Sequence, residues 1–330
     1  MSSFHPSSLP DLTGRVYVVT GGNTGLGYET TLQLATHGAR VYLCSRSEEN
    51  GNEAIRHIKE RVPGADVRLV KMDLADLRSV VDAAGMLKRQ EPRIHGLVNN
   101  AGIMATPYEK TLDGYEAQFQ INYISHWLLT QTLLPSIQAA ASISPPGTVR
   151  IVNVSSQAHH DAPSYGINLL DVNQNVGFIT GPVKRYGASK LANILHAREL
   201  YRRYGTLETR ALHADPVSIP SEGEIWTASI NPGRVDTKLL RRFDGNILLW
   251  LVSILIDALA RILPLNQTVE KGAYTQLFAI ASDGFNKEIS GQYLENGTEL
   301  GQMTSRARDD GLARELWEWT EAEMKRLGFV

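Results

Sequence analysis

Cysteine is almost missing from this sequence: Cys44 is the only one in 330 residues. A lone thiol excludes an internal disulfide and any cysteine-rich metal site. Its place in an apolar run makes it a small buried hydrophobe. Neither sign of charge is in excess, with 33 Lys and Arg against 35 Asp and Glu and a net charge of −2. With no long basic block, the chain is not expected to bind nucleic acid or another polyanion. No apolar run reaches the roughly twenty residues that a membrane-spanning helix needs. Residues 1–11 are polar and proline-bearing, form a flexible leader, and lack the apolar stretch of a secretory signal. A cytoplasmic location is the expectation.

What is present is an alternation of two patterns. Short apolar runs at 15–20, 40–44, 67–72, 96–99, 149–154 and 226–231 read as strands. Helical patterns fall between them at 26–37, 48–61, 77–90 and 114–141, with a further helix ending near 204. Pro135 should bend or break the fourth of these. Strands alternating with helices imply a parallel sheet covered on both faces, an α/β doubly wound architecture of the Rossmann type. The strands are continuously apolar, as burial on both faces requires. No internal repeat or low-complexity linker divides the chain, and the Pro/Ser patches at 142–147 and 216–221 read as surface loops. A single domain spanning residues 1–330 is expected.

Thr20-Gly21-Gly22-Asn23-Thr24-Gly25-Leu26-Gly27 lies between the first strand and the first helix. Glycines there permit a tight turn and close backbone approach to a pyrophosphate, while the helix N-terminus offers N–H groups. Gly21, Asn23, Gly25, Leu26 and Gly27 are therefore candidate dinucleotide ligands. About twenty residues on, an NAD site usually carries a carboxylate for the ribose 2′-hydroxyl. Here Cys44-Ser45-Arg46 stands instead, and Arg46 is suited to a 2′-phosphate; NADP(H) is preferred over NAD(H), the bland alternative being a solvated loop charge. Asp73, ending the third strand, could accept from the adenine amino group or cap the next helix. Asn99-Asn100-Ala101-Gly102 ends the fourth strand, where small residues let the chain pass close to the cofactor; Asn99, Ala101 and Gly102 are the candidates. Such a sequence also marks plain turns. Tyr186 and Lys190 lie four apart and share a helix face. An ammonium near a phenol lowers the phenol pKa and makes it a general acid/base near neutrality.

In this order the motifs resemble the short-chain dehydrogenase/reductase family. They are Thr20-Gly21-x-x-x-Gly25-x-Gly27, Asn99-Asn100-Ala101-Gly102, Asn122, Ser155-Ser156, Tyr186-x-x-x-Lys190, and Asn231-Pro232-Gly233 with Val235 and Thr237. The resemblance runs from about residue 12 to 294. It implies that Ser156, rather than Ser155, donates to the substrate oxygen and that Tyr186 is the acid/base. Lys190 lowers the Tyr186 pKa and holds the nicotinamide ribose, and Asn122 fixes a water in a relay reaching Lys190. Pro232, Gly233, Val235 and Thr237 meet the nicotinamide. No metal is required, because Ser156 and Tyr186 polarise the substrate. The wide Ser156–Tyr186 gap, Gln157-Ala158-His159-His160, Lys271-Gly272-Ala273 and Ser290-Gly291-Gln292-Tyr293-Leu294 look like the retinol-dehydrogenase-like and WW-domain-oxidoreductase-like branch. That branch interconverts lipophilic ketones or aldehydes and alcohols, generally with NADP(H). His159 and His160 read as loop residues near the pocket. Dimerisation through the helices of Asn122 and Tyr186 is common in the family, so a homodimer is the implied assembly unless the long loops obstruct it.

Residues 247–256 (ILLWLVSILI) are the most apolar segment. They fall within 238–266, where the family carries its substrate lid. An apolar lid insertion is preferred over the alternative, peripheral membrane contact through 247–263. Trp317 and Trp319 read as packing anchors. Two rivals remain at this point: an NAD-linked dehydrogenase with Arg46 idle, and a silent dinucleotide sensor or scaffold on the same fold.

Overall fold

The computed structural model describes residues 4–173, 177, 180–213, 223–233, 235 and 267–330. The expected lid at 238–266, its membrane-contact alternative at 247–263, the loop at 216–221 and Thr237 lie outside the described residues.

Eight strands form one sheet in the order β3-β2-β1-β4-β5-β6-β7-β8. They are β1 (Val16–Thr20), β2 (Arg40–Ser45), β3 (Val67–Lys71), β4 (Gly96–Asn99), β5 (Arg150–Val154), β6 (Trp226–Ile230), β7 (Tyr293–Glu295) and β8 (Glu299–Leu300). All pairings are parallel except the β7–β8 hairpin. Alternate residues of a strand face opposite sides, and the sheet has a core on each. Tyr17 and Val19 point with Val41 and Leu43 into one core, while Val16 and Val18 point with Tyr42 and Cys44 into the other. Burial on both faces explains why β1 and β5 read as unbroken apolar runs. Burial also pushes the Cys44 thiol up to about 12, so it is a packing residue.

The first core is closed by α1 (Gly25–Thr36), α2 (Glu48–Arg61) and α8 (Val269–Ala281). Phe4 packs edge-on against Tyr274 and Phe278, and Leu9 and Leu12 are buried. The leader is therefore docked from Phe4 onward, where the sequence suggested flexibility. The second core is closed by α3 (Leu77–Gln90), α5 (Ser125–Ala141), α6 (Gly181–Tyr204) and α9 (Asp310–Arg326). A short α7 (Leu207–His213) follows α6.

The helix expected over 114–141 differs in detail. A turn of α-helix, α4 (Ala117–Phe119), passes through a π-turn at Gln120–Ile124 into α5. Pro135 does not interrupt α5. Its ring sits on the solvent side, so the carbonyl it leaves without a helical partner is on the wet face of the helix. The irregularity is instead the π-turn, which carries Asn122. The α9 helix lays Trp317 edge-on against Trp127, with ring centroids 5.4 Å apart, and joins Thr320 Oγ1 to the Tyr123 hydroxyl at 2.7 Å. The Arg203 guanidinium lies over the Trp317 ring, 4.6 Å from its centroid. Trp319 packs against Tyr115 and Phe119. Both tryptophans are thus packing anchors, and α9 covers part of the outer surface of α5 and α6.

Candidate active site

Strand order reverses between β1, which leads into α1, and β4. In an open parallel sheet this opens a crevice at the carboxyl ends of the strands. Gly21 (φ +63°) and Gly25 (φ +56°) turn the chain out of β1 in the left-handed region that favours glycine. A Cβ on Gly27 would lie 2.3 Å from the Gly21 carbonyl oxygen, so the loop closes onto α1 only without a side chain there. Thr24 is the N-cap residue of α1, yet its side chain makes no capping bond. The first N–H groups of the helix are left to an anion in the crevice. Asn23 and Leu26 are half-buried in the same loop. These residues fit a dinucleotide pyrophosphate.

The other cofactor candidates line the same edge. Arg46 is exposed just beyond β2. Asp73 follows β3; one oxygen accepts from the Ala75 N–H at 2.9 Å in a local turn, and the cap of α3 is Asp76. Asn99 points inward, donating to Asn153 Oδ1 (2.8 Å) and Thr130 Oγ1 (3.2 Å), so its side chain works inside the sheet. Ala101 and Gly102 follow, half-buried, Ala101 against the glycine loop and Gly102 against Asn122 and Lys190. Beyond β6, Asn231 Oδ1 accepts from the Gly233 N–H at 3.1 Å, which orders the Pro232–Gly233 turn. Val235 bridges to Gln267 and packs where a Cβ on Gly272 of α8 would intrude.

Asn122, Ser156, Tyr186 and Lys190 come together at the ends of β4 and β5. The Ser156 hydroxyl accepts from the Ala158 N–H at 3.1 Å and lies near enough to Tyr186 to favour its phenolate form. Ser155, one residue earlier, points away and donates to the Lys190 carbonyl at 2.7 Å. Geometry therefore separates the two serines. Lys190 Nζ lies 5.4 Å from the Tyr186 ring centroid and donates to the Val154 carbonyl at 2.9 Å. A Cβ on Gly102 would sit 3.0 Å from Asn122 Oδ1 and 3.5 Å from Lys190 Nζ, so this glycine marks where the groups converge.

The electrostatics differ from the expectation of a lowered tyrosine. Burial pushes Tyr186 up to about 12, with the Ser156 hydroxyl pulling the other way. Burial also pulls Lys190 down to about 7. Desolvation disfavours the charged form of both groups. At neutral pH the phenol holds its proton while Lys190 changes charge near neutrality. Asn122 likewise does something other than face open water. Its Oδ1 accepts from the Ile103 N–H (2.9 Å), and its Nδ2 donates to the Ile103 carbonyl (3.0 Å) and to Ser189 Oγ (2.9 Å). Ser189 in turn donates to the Tyr186 carbonyl at 2.7 Å. The side chain clamps the 102–103 segment to the helix of Tyr186 and Lys190.

A family model described as short chain dehydrogenase matches residues 15–168. The short-chain dehydrogenase/reductase drtF of Aspergillus calidoustus is 43% identical over 325 residues, which covers 97% of each chain. This chain belongs to the short-chain dehydrogenase/reductase family. It is also 34% identical over 319 residues to human retinol dehydrogenase 11, covering 96% of this chain and 88% of that one, in keeping with the retinol-dehydrogenase-like branch. Among solved structures, an uncharacterized protein from Mycobacterium Paratuberculosis matches with a TM-score of 0.70 and 28% identity over 98% of both chains. The chain is accordingly an oxidoreductase on a Rossmann-type sheet. Among the described residues no helix is long and apolar enough to cross a membrane, and no cluster could hold a metal ion.

Glu116, Arg185 and Gln118, which shape this candidate site, carried no signal in the motifs, while His159 did. Glu116 and Arg185 form an ion pair at 3.1 Å, 1% and 5% exposed, next to Tyr186 in sequence. Arg185 also donates to the Thr106 carbonyl and lies over the Tyr108 ring. Gln118 accepts from the Ala105 N–H (2.7 Å) and donates to the Pro182 carbonyl (3.2 Å), tying the 103–108 loop to the start of α6. His159 is buried, with Nδ1 2.8 Å from the Ser156 carbonyl, so it orders the serine loop.

Proposed function

We infer that this dehydrogenase/reductase interconverts a lipophilic ketone or aldehyde and its alcohol with NADP(H), using Tyr186 as the general acid/base. One observation carries the reading: Tyr186 and Lys190, both buried and with Nζ 5.4 Å from the ring, share the carboxyl edge with Ser156 and Asn122, next to a glycine loop closed for a dinucleotide. When bound, the dinucleotide supplies or accepts the hydride at the substrate carbon. Gly21, Asn23, Gly25, Leu26 and Gly27 would hold its pyrophosphate, and Pro232, Gly233 and Val235 would meet its nicotinamide end. Ser156 donates a hydrogen bond to the substrate oxygen and stabilises charge developing there. Tyr186, protonated at neutral pH, delivers its proton to that oxygen in the reducing direction. Lys190, titrating near neutrality, can gain a charge beside the phenolate that this leaves. Asn122 and Ser189 keep the catalytic helix in register with the 102–103 segment during the transfer.

The cofactor preference rests on Arg46, exposed beyond β2 where a carboxylate would serve NAD. The substrate class rests on the name of retinol dehydrogenase 11, which refers to an apolar alcohol, and on the apolar 247–256 segment. Its placement over the pocket as a lid belongs to the proposal, as does a cytoplasmic location. A homodimer, if formed, must avoid the surface of α5 and α6 that α9 covers. The experiment is NADPH and NADH oxidation with a panel of lipophilic aldehydes and ketones, before and after Arg46→Ala. The reading expects kcat/KM to favour NADPH and the preference to collapse by about tenfold or more in the variant, as the loss of one charge-assisted pair implies. An unchanged preference would remove Arg46 from the cofactor site.

A further inference from the structure

His126 is fully buried on α5, one helical turn after Asn122, and it belongs to none of the motifs above. Its Nδ1 lies 3.0 Å from the carbonyl oxygen of Asn122, in the π-turn. Its Nε2 lies 2.9 Å from Thr20 Oγ1, at the end of β1 where the glycine loop begins. A carbonyl oxygen only accepts, so Nδ1 carries the proton and donates. In the neutral ring Nε2 is then the acceptor.

Thr20 fits that assignment. Its Oγ1 accepts from the backbone N–H groups of both Asn100 and Ala101, each at 2.9 Å, which uses both lone pairs. The hydroxyl proton has two acceptors in reach, the Val98 carbonyl at 3.4 Å and His126 Nε2 at 2.9 Å. The nearer, properly spaced one is the imidazole. One tautomer of one charge state thus satisfies every atom in the chain Asn122–His126–Thr20–Asn100/Ala101.

The network reaches further on the cofactor side. Asn100 Nδ2 donates to the Thr20 carbonyl at 2.7 Å, and its Oδ1 accepts from Gln276 Nε2 at 3.1 Å. Gln276 Oε1 accepts from Thr30 Oγ1 of α1 at 3.0 Å. On the catalytic side, the Asn122 side chain grips Ile103 and Ser189 beside Tyr186 and Lys190. A Cβ placed on Gly21 would already touch Ala101 at 3.1 Å, so the segments held by Thr20 have no slack.

We propose that His126 is a positioning residue that holds the cofactor loop and the catalytic turn in one register, through Thr20 on one side and the Asn122 carbonyl on the other. The two ring nitrogens serve two different sites, so the two roles separate by substitution. In His126→Gln the amide oxygen falls near the place of Nε2 and keeps an acceptor for Thr20, while the bond to Asn122 is lost. In His126→Asn the amide nitrogen falls near Nδ1 and keeps a donor to Asn122, while Thr20 loses its acceptor.

The test measures the NADPH Kd by fluorescence titration, with no substrate present, and kcat at saturating NADPH. The proposal expects opposite splits. His126→Asn weakens NADPH binding about tenfold, the effect of losing one net buried hydrogen bond, with a smaller fall in kcat. His126→Gln lowers kcat by about tenfold with a smaller rise in Kd. Thr20→Val, which also takes the acceptor from the Asn100 and Ala101 N–H groups, weakens binding more than His126→Asn does, the double variant adds little to Thr20→Val alone, and Thr20→Ser keeps binding near the wild type. Parallel losses in Kd and kcat for both histidine variants, or Thr20→Val and His126→Asn adding fully, would overturn the proposal. If one histidine variant does not fold, the split between Kd and kcat in the other decides the matter. The inference rests on the dinucleotide reading of the glycine loop: failure of the wild type to bind NADPH overturns both, whereas wild-type binding with unsplit variants overturns only the role of His126.

Discussion

Replacing Asn122 by alanine tests how the catalytic turn is held. The side chain makes three hydrogen bonds, two to the backbone of Ile103 and one to Ser189 Oγ, at 2.9–3.0 Å. Alanine leaves the Ile103 N–H and carbonyl without their partners, while Ser189 keeps its bond to the Tyr186 carbonyl. A buried group left unpaired costs about 1–3 kcal/mol. Ile103 is only partly buried, so water can meet some of its need, and the expected loss of stability is about 3 kcal/mol. The same change frees the 102–103 segment, where Gly102 lies next to Lys190. Small displacements of catalytic groups are costly in rate, and kcat should fall by about ten- to a hundredfold. Urea unfolding followed by tryptophan fluorescence gives the first number and steady-state turnover the second. A variant as stable as the wild type within about 0.5 kcal/mol, yet inactive, would refute the clamp and return Asn122 to a role on water alone.

The cofactor loop makes a separate prediction. Gly27→Ala sets a methyl 2.3 Å from the Gly21 carbonyl, so the loop must open. Overpacking of this kind costs about 1–3 kcal/mol, and NADPH binding should weaken by roughly five- to a hundredfold in a fluorescence titration, with the tryptophan spectrum of the folded chain retained. Acid should also weaken the fold in a defined window. Burial pulls His126 from 6.5 to about 4 and His196 from 6.5 to about 3, where the charge of His126 adds to the effect. Both folded values lie below the unfolded one, so the unfolded chain takes up protons first. Their contribution is complete above about pH 6.5 and is lost as pH falls through 6.5 towards 4 and 3. His126 alone is worth about 3 kcal/mol by pH 4. Urea midpoints at about pH 7 and about pH 4.5 should differ accordingly, and equal midpoints would contradict the neutral assignment of the two rings.

The sequence made legible what depends on short-range pattern. The strands β1 to β6 followed from short, mainly apolar runs, although β3 carries exposed Arg68 and Lys71, and the glycine loop followed from its position between a strand and a helix. Tyr186 and Lys190 share a face because α6 is regular there. What was hidden depends on long-range contact. Strand β7 is three residues long and shows no run that could announce it, so its pairing with β6 and β8 defines it. The π-turn at Gln120–Ile124 leaves no mark on hydrophobic periodicity, and Pro135 drew attention to the wrong place in the same helix. His126 stands four residues after Asn122, but its partner Thr20 is 106 residues away in sequence, so no local pattern joins the two. The expected lowering of Tyr186 by Lys190 assumed two charges in a polar site. In the folded chain both are buried, and desolvation moves them in the opposite sense.

The central claim is that Tyr186 moves the proton while the glycine loop holds the dinucleotide. Tyr186→Phe removes only the hydroxyl of a ring that is 7% exposed, so the fold and the cofactor site should survive. The decisive measurement is turnover of a lipophilic aldehyde or ketone by this variant beside its NADPH Kd. The account predicts a loss of activity of at least about a hundredfold, the scale of general acid catalysis, with NADPH bound as in the wild type. Turnover at the wild-type rate with cofactor bound would contradict it.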